Sequence, residues 1–240
     1  MGGIVNVMGL PVNIMTENEF TSLMKTYVNN DYMNIVYMVS VNTYQALAGE
    51  RDLIVSMQAA DLILPAERIL MSSFHGRKIR GIVNSYRYLL YLLRKPDLIK
   101  KMCIIGNDNK SSLELADFFG SQNPELDVCG VYSIEAGYND ETVINDINSK
   151  EPDILIITVD SPQLERWILE HKSKIFVKVC VGLGNMSDTI IKENRPPADW
   201  IVRLGLDKLY YDIKNKKYSE NSKKARIMQS LIADYNSRNE

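Results

Sequence analysis

The chain is poor in the residues that form disulfide frameworks and metal sites. It has only three cysteines and two histidines among 240 residues. Cys103, Cys129 and Cys180 lie far apart, each within an apolar run, which indicates buried, reduced thiols in a reducing compartment. His75 and His171 have no cysteine or carboxylate at a ligand spacing, so the sequence predicts no metal site.

Long hydrophobic runs and an excess of one charge are also missing. No segment approaches the roughly 18 to 20 apolar residues that cross a bilayer, and the opening MGGIVNVMGLPVNIMT lacks the pattern of a secretion signal. The formal net charge of −2 provides no global basic field, so nucleic acid is not an expected partner. We therefore expect a cytoplasmic protein that does not span a membrane.

Several short catalytic signatures are absent as well. The sequence contains no GxGxxG, no GxxxxGK followed by Ser or Thr, and no GxSxG. A dinucleotide-dependent dehydrogenase and a serine hydrolase therefore have little support.

What the sequence does contain is a regular alternation of strand and helix patterns. Apolar strands are predicted at residues 34–40, 61–64, 101–106, 126–132, 153–159 and 175–184, separated by helical segments that include residues 44–60, 140–148 and 161–172. Ser161 is predicted to cap the last of these helices, with Pro162 in its first position. Strands such as DILIITV are apolar without alternation, which is typical of a parallel sheet covered by helices on both faces. The predicted fold is a doubly wound, mainly parallel α/β body.

In open parallel sheets, ligands bind beyond the carboxyl ends of the strands. The loop IIGNDNKSS has a glycine and helix-opening serines suited to a phosphate, although a plain N-cap explains it better. In VGLGNMSD, Gly182 and Gly184 permit close backbone approach to a ligand and Asp188 can accept hydrogen bonds from a sugar hydroxyl. Tight packing of strand against helix explains the two glycines equally well.

The C-terminal segment is basic and amphipathic. Residues 206–240 contain eight Lys or Arg and five Asp or Glu, so this segment is net +3 and the remainder of the chain −5. Ile227, Met228, Leu231 and Tyr235 recur at helical spacing. Such a segment suits an anionic membrane surface, or alternatively a helix docked on the body with a solvated lysine face.

Stretches along nearly the whole chain resemble the WecG/TagA/CpsF family of bacterial glycosyltransferases. VNVMGLPVNIMTENEF resembles the family's opening, VSVNTYQ its Thr-x-Asn strand end, and QAADLILP the approach to its Pro-Asp-Gly motif. EPDILIITVDSPQLERWI is similar to the family's GxPxQExW region, VGLGNMSD to GxGxxFD, and NRPPADWIVRLGLDKLY to RAPxWxxxxGLEWLYR. The last of these is the most specific.

The resemblance implies a Rossmann-like fold and a specific transfer reaction. The family transfers an N-acetylmannosamine or related hexosyl unit from a UDP-sugar to a polyprenyl-diphosphate-linked acceptor, with inversion and without a metal or other cofactor. Residues 1–200 would form the glycosyltransferase-like domain, and residues 201–240 an appendage that contacts the inner face of the cytoplasmic membrane. The sequence does not determine the oligomeric state, and a homo-oligomer is one alternative.

The resemblance also transfers site residues, with three departures. The family's catalytic aspartate corresponds to Ala66, its glutamine to Leu164, and one arginine to Lys78. Glu67 is the predicted replacement base, with Ser40 and Asn42 as further catalytic candidates. The predicted substrate-binding residues are Lys78, Arg80, Glu165, Gly182, Gly184, Asp188 and Arg195. The alternative is a catalytically degenerate relative that serves as a binding partner or regulator of a membrane-associated glycosyltransferase.

Overall fold

A six-stranded parallel sheet forms the centre of the molecule. The computed structural model describes residues 3–67, 69–70, 85–95, 97–136, 139–194, 203 and 218–239. The sheet strands are β3 (Asn34–Val39), β4 (Leu62–Pro65), β5 (Lys101–Gly106), β6 (Asp127–Ser133), β7 (Ile154–Thr158) and β8 (Val179–Gly182). They lie in the order β4-β3-β8-β7-β5-β6, and each hydrogen-bonded pair is parallel. The doubly wound prediction is therefore confirmed.

An antiparallel hairpin precedes this sheet. Strands β1 (Ile4–Val7) and β2 (Leu10–Asn13) are joined by Met8 and Gly9, both with positive φ (45° and 92°). Positive φ at both central residues matches the twist of a two-residue hairpin. The Asn13 side chain accepts a hydrogen bond from the Ile63 backbone N–H at 3.1 Å, which fixes the hairpin beside β4.

Helices cover both faces of the parallel sheet. They are α1 (Glu17–Val28), α2 (Val41–Ala46), α3 (Arg51–Met57), α4 (Tyr86–Leu93), α5 (Asn109–Gln122), α6 (Asp140–Lys150), α7 (Gln163–His171), α8 (Ser187–Asn194) and α9 (Tyr218–Asn239), with a 3-10 turn at Ile134–Ala136. One hydrophobic cluster contains side chains of α2, α3, α6, α7 and α9, and a second contains those of α1, α4, α5 and α8.

The strands supply alternate residues to these two clusters. In β7, Leu155 and Ile157 belong to the first cluster, whereas Ile154 and Ile156 belong to the second. Because side chains alternate between the faces of a strand, a strand buried on both faces must be apolar throughout. All five residues of β7 are buried, which explains its uninterrupted apolar sequence.

Two sequence expectations about helices are wrong in detail. Residues 44–60 form two helices rather than one, because the chain breaks at Gly49, whose φ of +100° no helix accommodates. Ser161 does not cap α7: the cap position belongs to Pro162, and the Ser161 hydroxyl instead donates to Glu165 Oε1 at 2.8 Å. The four leucines of α4, Leu89, Leu90, Leu92 and Leu93, are core residues.

The C-terminal helix α9 packs on the body. Met228 is fully buried in the first cluster, and Ile227, Leu231 and Ile232 pack against that cluster. α9 also contacts α2, the helix that follows β3. Within the part of the chain that the structure describes, no helix has both the length and the apolar character of a membrane-spanning segment.

The packing of α9 can be measured by removing its buried anchor. We expect Met228→Ala to lower the free energy of unfolding by about 2–5 kcal/mol, because the truncation leaves a cavity in a close-packed core. Urea unfolding provides the measurement, and Gln229→Ala, at the exposed neighbouring position, is the control. Equal stability of the two variants would show that Met228 contributes no more than a solvated residue.

Candidate functional site

The carboxyl ends of β3 and β4 bring two predicted residues together. The strands are in register with Val39 opposite Pro65, and the Ala66 N–H donates to the Val39 carbonyl at 2.7 Å. Ser40 and Glu67, which follow these strands, therefore lie at the same edge of the sheet. β3 also pairs with β8 on its other side, so the chain order reverses here, as in the crevices where α/β sheets bind ligands.

The side chains of Ala66 and Glu67 have different surroundings. Ala66 is fully buried in the second hydrophobic cluster. Glu67 Oε2 accepts from the Val41 N–H at 3.3 Å, and Glu67 Oε1 forms an ion pair with Lys224 Nζ of α9. The Glu67 side chain is 12% exposed and that of Lys224 20%. The carboxylate at this edge thus comes from residue 67, and α9 brings a cation to it.

Ser40 and Asn42 lie at the start of α2, in different roles. Ser40 is the N-cap: its hydroxyl accepts from the Thr43 N–H at 3.2 Å, and the Thr43 hydroxyl accepts from the Ser40 N–H at 3.2 Å. This reciprocal capping gives Ser40 a structural function whether or not it contacts a ligand. Asn42 is the second residue of α2, and it is exposed.

The segment after β8 contributes the two glycines and Asp188. A Cβ at Gly182 would meet Leu164 and Tyr37 side-chain atoms at 3.0 Å, so tight packing accounts for this glycine. Gly184 has a φ of +57° and a Cβ there would lie 3.8 Å from Thr43 Oγ1, which places the loop beside the start of α2. The Asp188 carboxylate is exposed at the first turn of α8 and pairs with Lys192 at 2.6 Å.

Glu165 is a buried carboxyl group beside this site. Its residue is 2% exposed, and burial raises the pKa of its carboxyl above the usual range, which the Ser161 hydrogen bond only partly offsets. Among the described residues, Oε2 has no hydrogen-bond partner. A carboxyl group with a raised pKa is protonated more readily than an exposed one, and its neutral form can donate a hydrogen bond.

Three predicted substrate-binding residues, Lys78, Arg80 and Arg195, lie outside the described residues. In the described ranges, no group of three His, Cys, Asp or Glu side chains is arranged to hold a metal ion.

In the loop after β5, a side chain of the loop itself caps the N-terminus of the next helix. Asp108 is the N-cap of α5, accepting from the Ser111 N–H at 2.8 Å, and the Ser111 hydrogen bonds hold the pKa of the Asp108 carboxyl below its usual value. The helix therefore begins at Asn109, earlier than the two serines predicted. A carboxylate already satisfies the amide that a phosphate would use.

A pocket that the sequence did not reveal lies at the ends of β5 and β6. It has a volume of about 240 Å³, and its lining includes Tyr132, Ser133, Asp140, Gln163 and Trp167. Asp140 Oδ1 accepts from the Trp167 indole N–H at 3.2 Å, and Asp140 Oδ2 lies 3.3 Å from His171 Nε2. The signal for this place in the sequence is that Tyr132, Ser133 and Gln163 lie at or just after the ends of predicted strands.

Comparison with known proteins agrees with the resemblance seen in the motifs. A curated relative from Bacillus subtilis (strain 168), N-acetylglucosaminyldiphosphoundecaprenol N-acetyl-beta-D-mannosaminyltransferase, is 23% identical over 198 residues, covering 80% of this chain and 76% of the relative. The family described as "Glycosyl transferase WecG/TagA/CpsF family" matches residues 5–218, far more than half of the sequence. This chain belongs to the WecG/TagA/CpsF family of glycosyltransferases.

Proposed function

We propose that the protein transfers an N-acetylmannosamine-like hexosyl unit from a UDP-sugar to a polyprenyl-diphosphate-linked acceptor. The reaction inverts the anomeric centre, needs no metal, and belongs to the synthesis of a cell-surface polysaccharide or teichoic acid. Family membership supports this, and so does the name of the B. subtilis relative, which specifies an N-acetylglucosaminyldiphosphoundecaprenol acceptor and the transfer of an N-acetyl-beta-D-mannosaminyl group.

The observation that carries the proposal is the Glu67 carboxylate at the reversal point of the sheet. In an inverting transfer, an acceptor hydroxyl attacks the anomeric carbon while UDP leaves from the opposite face, and a base removes the hydroxyl proton. Glu67 is the carboxylate at the end of β4, where the family has aspartate one residue earlier. Its Oε2 is oriented by the Val41 N–H, so the group is held in place rather than free in solvent.

Leaving-group stabilisation without a metal requires positive charge near the diphosphate. Lys224 supplies one such charge beside Glu67, and in this arrangement the two neutralise each other. An incoming diphosphate competes with Glu67 for Lys224, which frees the carboxylate to accept a proton as the donor binds. Lys78, Arg80 and Arg195 are proposed to add further positive charge.

The remaining residues have proposed roles in orienting the sugar. Glu165, in its neutral form, donates a hydrogen bond to a sugar hydroxyl or to the acceptor. Asn42 and Asp188 are exposed polar groups in the segments that follow β3 and β8, and they suit hydroxyl recognition. Ser40 holds the start of α2, so that the Val41 N–H stays directed at Glu67.

One further proposal concerns the membrane that holds a polyprenyl acceptor. Lys223 and Arg226 of α9 are exposed and lie on the side away from buried Met228. These cations suit an anionic bilayer surface, where each adds about 1 kcal/mol of attraction. The apolar face of α9 is already packed on the body, so attachment relies on charge.

A second candidate function is a non-catalytic relative that binds the donor or acceptor and acts on another glycosyltransferase. The observation that favours it is the pair of apolar residues at two motif positions, with Ala66 in the core and Leu164 packed against the position of Gly182. Donor binding without acceptor-dependent UDP release would identify this alternative.

We expect Glu67→Gln to lower kcat for UDP release by at least about 100-fold, because general-base catalysis commonly contributes that much. The donor Kd should fall, because the neutral amide competes less well than the carboxylate with the diphosphate for Lys224. Acceptor-dependent UDP release and titration calorimetry give the two values, with Glu170→Gln on the exposed face of α7 as the control. Full turnover by the Glu67→Gln enzyme would remove Glu67 from the mechanism.

Lys224→Gln should weaken donor binding and loosen α9 together. The change leaves the largely buried Glu67 carboxylate without this cation, so we expect a loss of about 2 kcal/mol in the free energy of unfolding, together with a higher KM for the donor. The matched variant Lys223→Gln changes the exposed neighbouring lysine. The same KM in both variants would mean that Lys224 does not interact with the donor.

The buried Glu165 carboxyl should make stability depend on pH. Burial raises its pKa in the folded state, so the folded protein binds more protons than the unfolded chain above the unfolded value of 4.5. The contribution of Glu165 to the free energy of unfolding therefore decreases as the pH rises from the unfolded pKa through the higher pKa of the folded state. Glu165→Gln should gain more stability over wild type at pH 7 than at pH 4 in urea unfolding, with Glu170→Gln as reference. An equal gain at both pH values would contradict a raised pKa.

A further inference from the structure

Two of the three cysteines meet between strands β5 and β6. Cys103 Sγ lies 3.5 Å from Cys129 Sγ, and both are free thiols. Cys103 is fully buried, whereas Cys129 is only half-buried, so the pair borders on solvent at Cys129. The sequence predicts buried thiols far apart; in the fold, two of them are neighbours and one is partly exposed.

A β-bulge turns both thiols to the same face of the sheet. The register of β5 and β6 shifts between Met102 and Cys103, so that Cys103 pairs with Gly130 and Cys129 is the extra residue. With strict alternation, Cys129 would face away from Cys103. Instead, Cys103 belongs to the first hydrophobic cluster and Cys129 packs against it. A bulge commonly redirects a side chain in this way.

The resulting separation suits a covalent bond between the two sulfurs. Neighbouring strands about 4.8 Å apart, with an offset of one residue of about 3.3 Å, give a diagonal Cα separation of about 5.8 Å. Disulfides span Cα separations of about 4.4–6.8 Å, most commonly about 5.5–6 Å. The sulfurs need to approach by roughly 1.5 Å to reach the S–S bond length of about 2.05 Å.

Cys180 lies in the same row of the sheet but too far away to join this pair. Cys103 is in register with Leu155 of β7, and Leu155 with Cys180 of β8. Two strand spacings place the Cα atoms of Cys103 and Cys180 about 9.6 Å apart, beyond the roughly 7 Å that a disulfide can bridge. Because Cys180 is fully buried on the same face, it is a matched control within the chain.

The surroundings give the two thiols different reactivity. Burial and the adjacent Cys129 raise the pKa of the Cys103 thiol, and Lys150 opposes this only in part. Since the thiolate is the form that attacks an oxidant, Cys103 is a poor first nucleophile. The half-buried Cys129 is therefore the thiol that an oxidant meets first, and Cys103 is the thiol that reacts with the product.

We propose that Cys103 and Cys129 form a redox-modification site, which hydrogen peroxide converts to an internal disulfide. The Cys129 thiolate attacks one peroxide oxygen, the O–O bond breaks, and Cys129 becomes a sulfenic acid while the departing hydroxide takes up a proton. The Cys103 sulfur then attacks the Cys129 sulfur, the S–O bond breaks, and the hydroxyl group leaves as water with the Cys103 proton. Two thiols and one peroxide yield one disulfide and two waters. This site is independent of the proposed transfer reaction.

The bond would join the last strand of the sheet to its neighbour. β6 lies at the end of the strand order, beside β5, and α5 lies between these two strands in the chain. A disulfide closes this β5–α5–β6 unit into a loop and restricts the unfolded chain. We therefore expect the oxidised protein to unfold at a higher urea concentration than the reduced protein.

The test exposes the reduced full chain to hydrogen peroxide with a metal chelator present, then alkylates it and determines its mass. Wild type should lose two hydrogen atoms and join the peptides that contain Cys103 and Cys129, and dithiothreitol should reverse the change. Cys180→Ala should form the same bond, whereas Cys129→Ser should keep both remaining thiols. In Cys103→Ala, dimedone should label Cys129 about tenfold more than in wild type, because the thiol that consumes the sulfenic acid is missing.

Urea unfolding provides the second measurement. Peroxide should raise the midpoint of wild type and leave that of Cys129→Ser unchanged. Full alkylation of all three cysteines after peroxide treatment of folded wild type would overturn the proposal, as would a bond to Cys180. An equal or lower midpoint in the oxidised protein would contradict the fit of the bond to the native bulge. Because Cys129 is half-buried, Cys129→Ser keeps the test decisive even if Cys103→Ala does not fold.

Discussion

The parallel pairing of β3 with both β4 and β8 is the constraint on which the site depends. Parallel strands deliver all their carboxyl ends to one edge, and a reversal of chain order, as at β3, is where α/β sheets commonly bind ligands. Ser40, Glu67 and Gly184 come from three segments that are distant in sequence, yet each directly follows one of these strands or lies within a few residues of it. No local feature of any one segment could bring them together.

The replacement of the family's aspartate shows how strongly the strand end constrains chemistry. Ala66 is fully buried among apolar side chains, and a carboxylate there would have to lose its hydration. One residue later, Glu67 reaches a backbone N–H and a lysine, which together compensate its partial burial. In the proposed mechanism, the longer side chain of Glu67 therefore supplies the carboxylate at the sheet edge from one residue later in the chain.

Much of the fold was predictable because its signals are local. The unbroken apolar strands and the intervening helical patterns are properties of short segments, so the doubly wound sheet followed from them. The break at Gly49 and the cap at Asp108 were missed, since each depends on one backbone conformation that a period does not reveal. Motif resemblance singled out Glu67 and Glu165, whose roles stay predictions, but it indicated neither the Lys224 ion pair nor the pocket around Asp140, because these depend on how distant helices pack.

The apolar residues around the site also affect its electrostatics. Leu164 and Tyr37 close the space above Gly182, and Glu165 is buried beside them with a raised pKa. Such surroundings lower the local dielectric, in which a lysine attracts a carboxylate or a diphosphate more strongly than it does in water. The motif resemblance aligns Leu164 with a polar glutamine of the family, and here the apolar side chain packs against Gly182 instead. In the proposed mechanism, Glu67 and Lys224 therefore act with less screening, and whichever anion Lys224 pairs with determines whether Glu67 is free to act as a base.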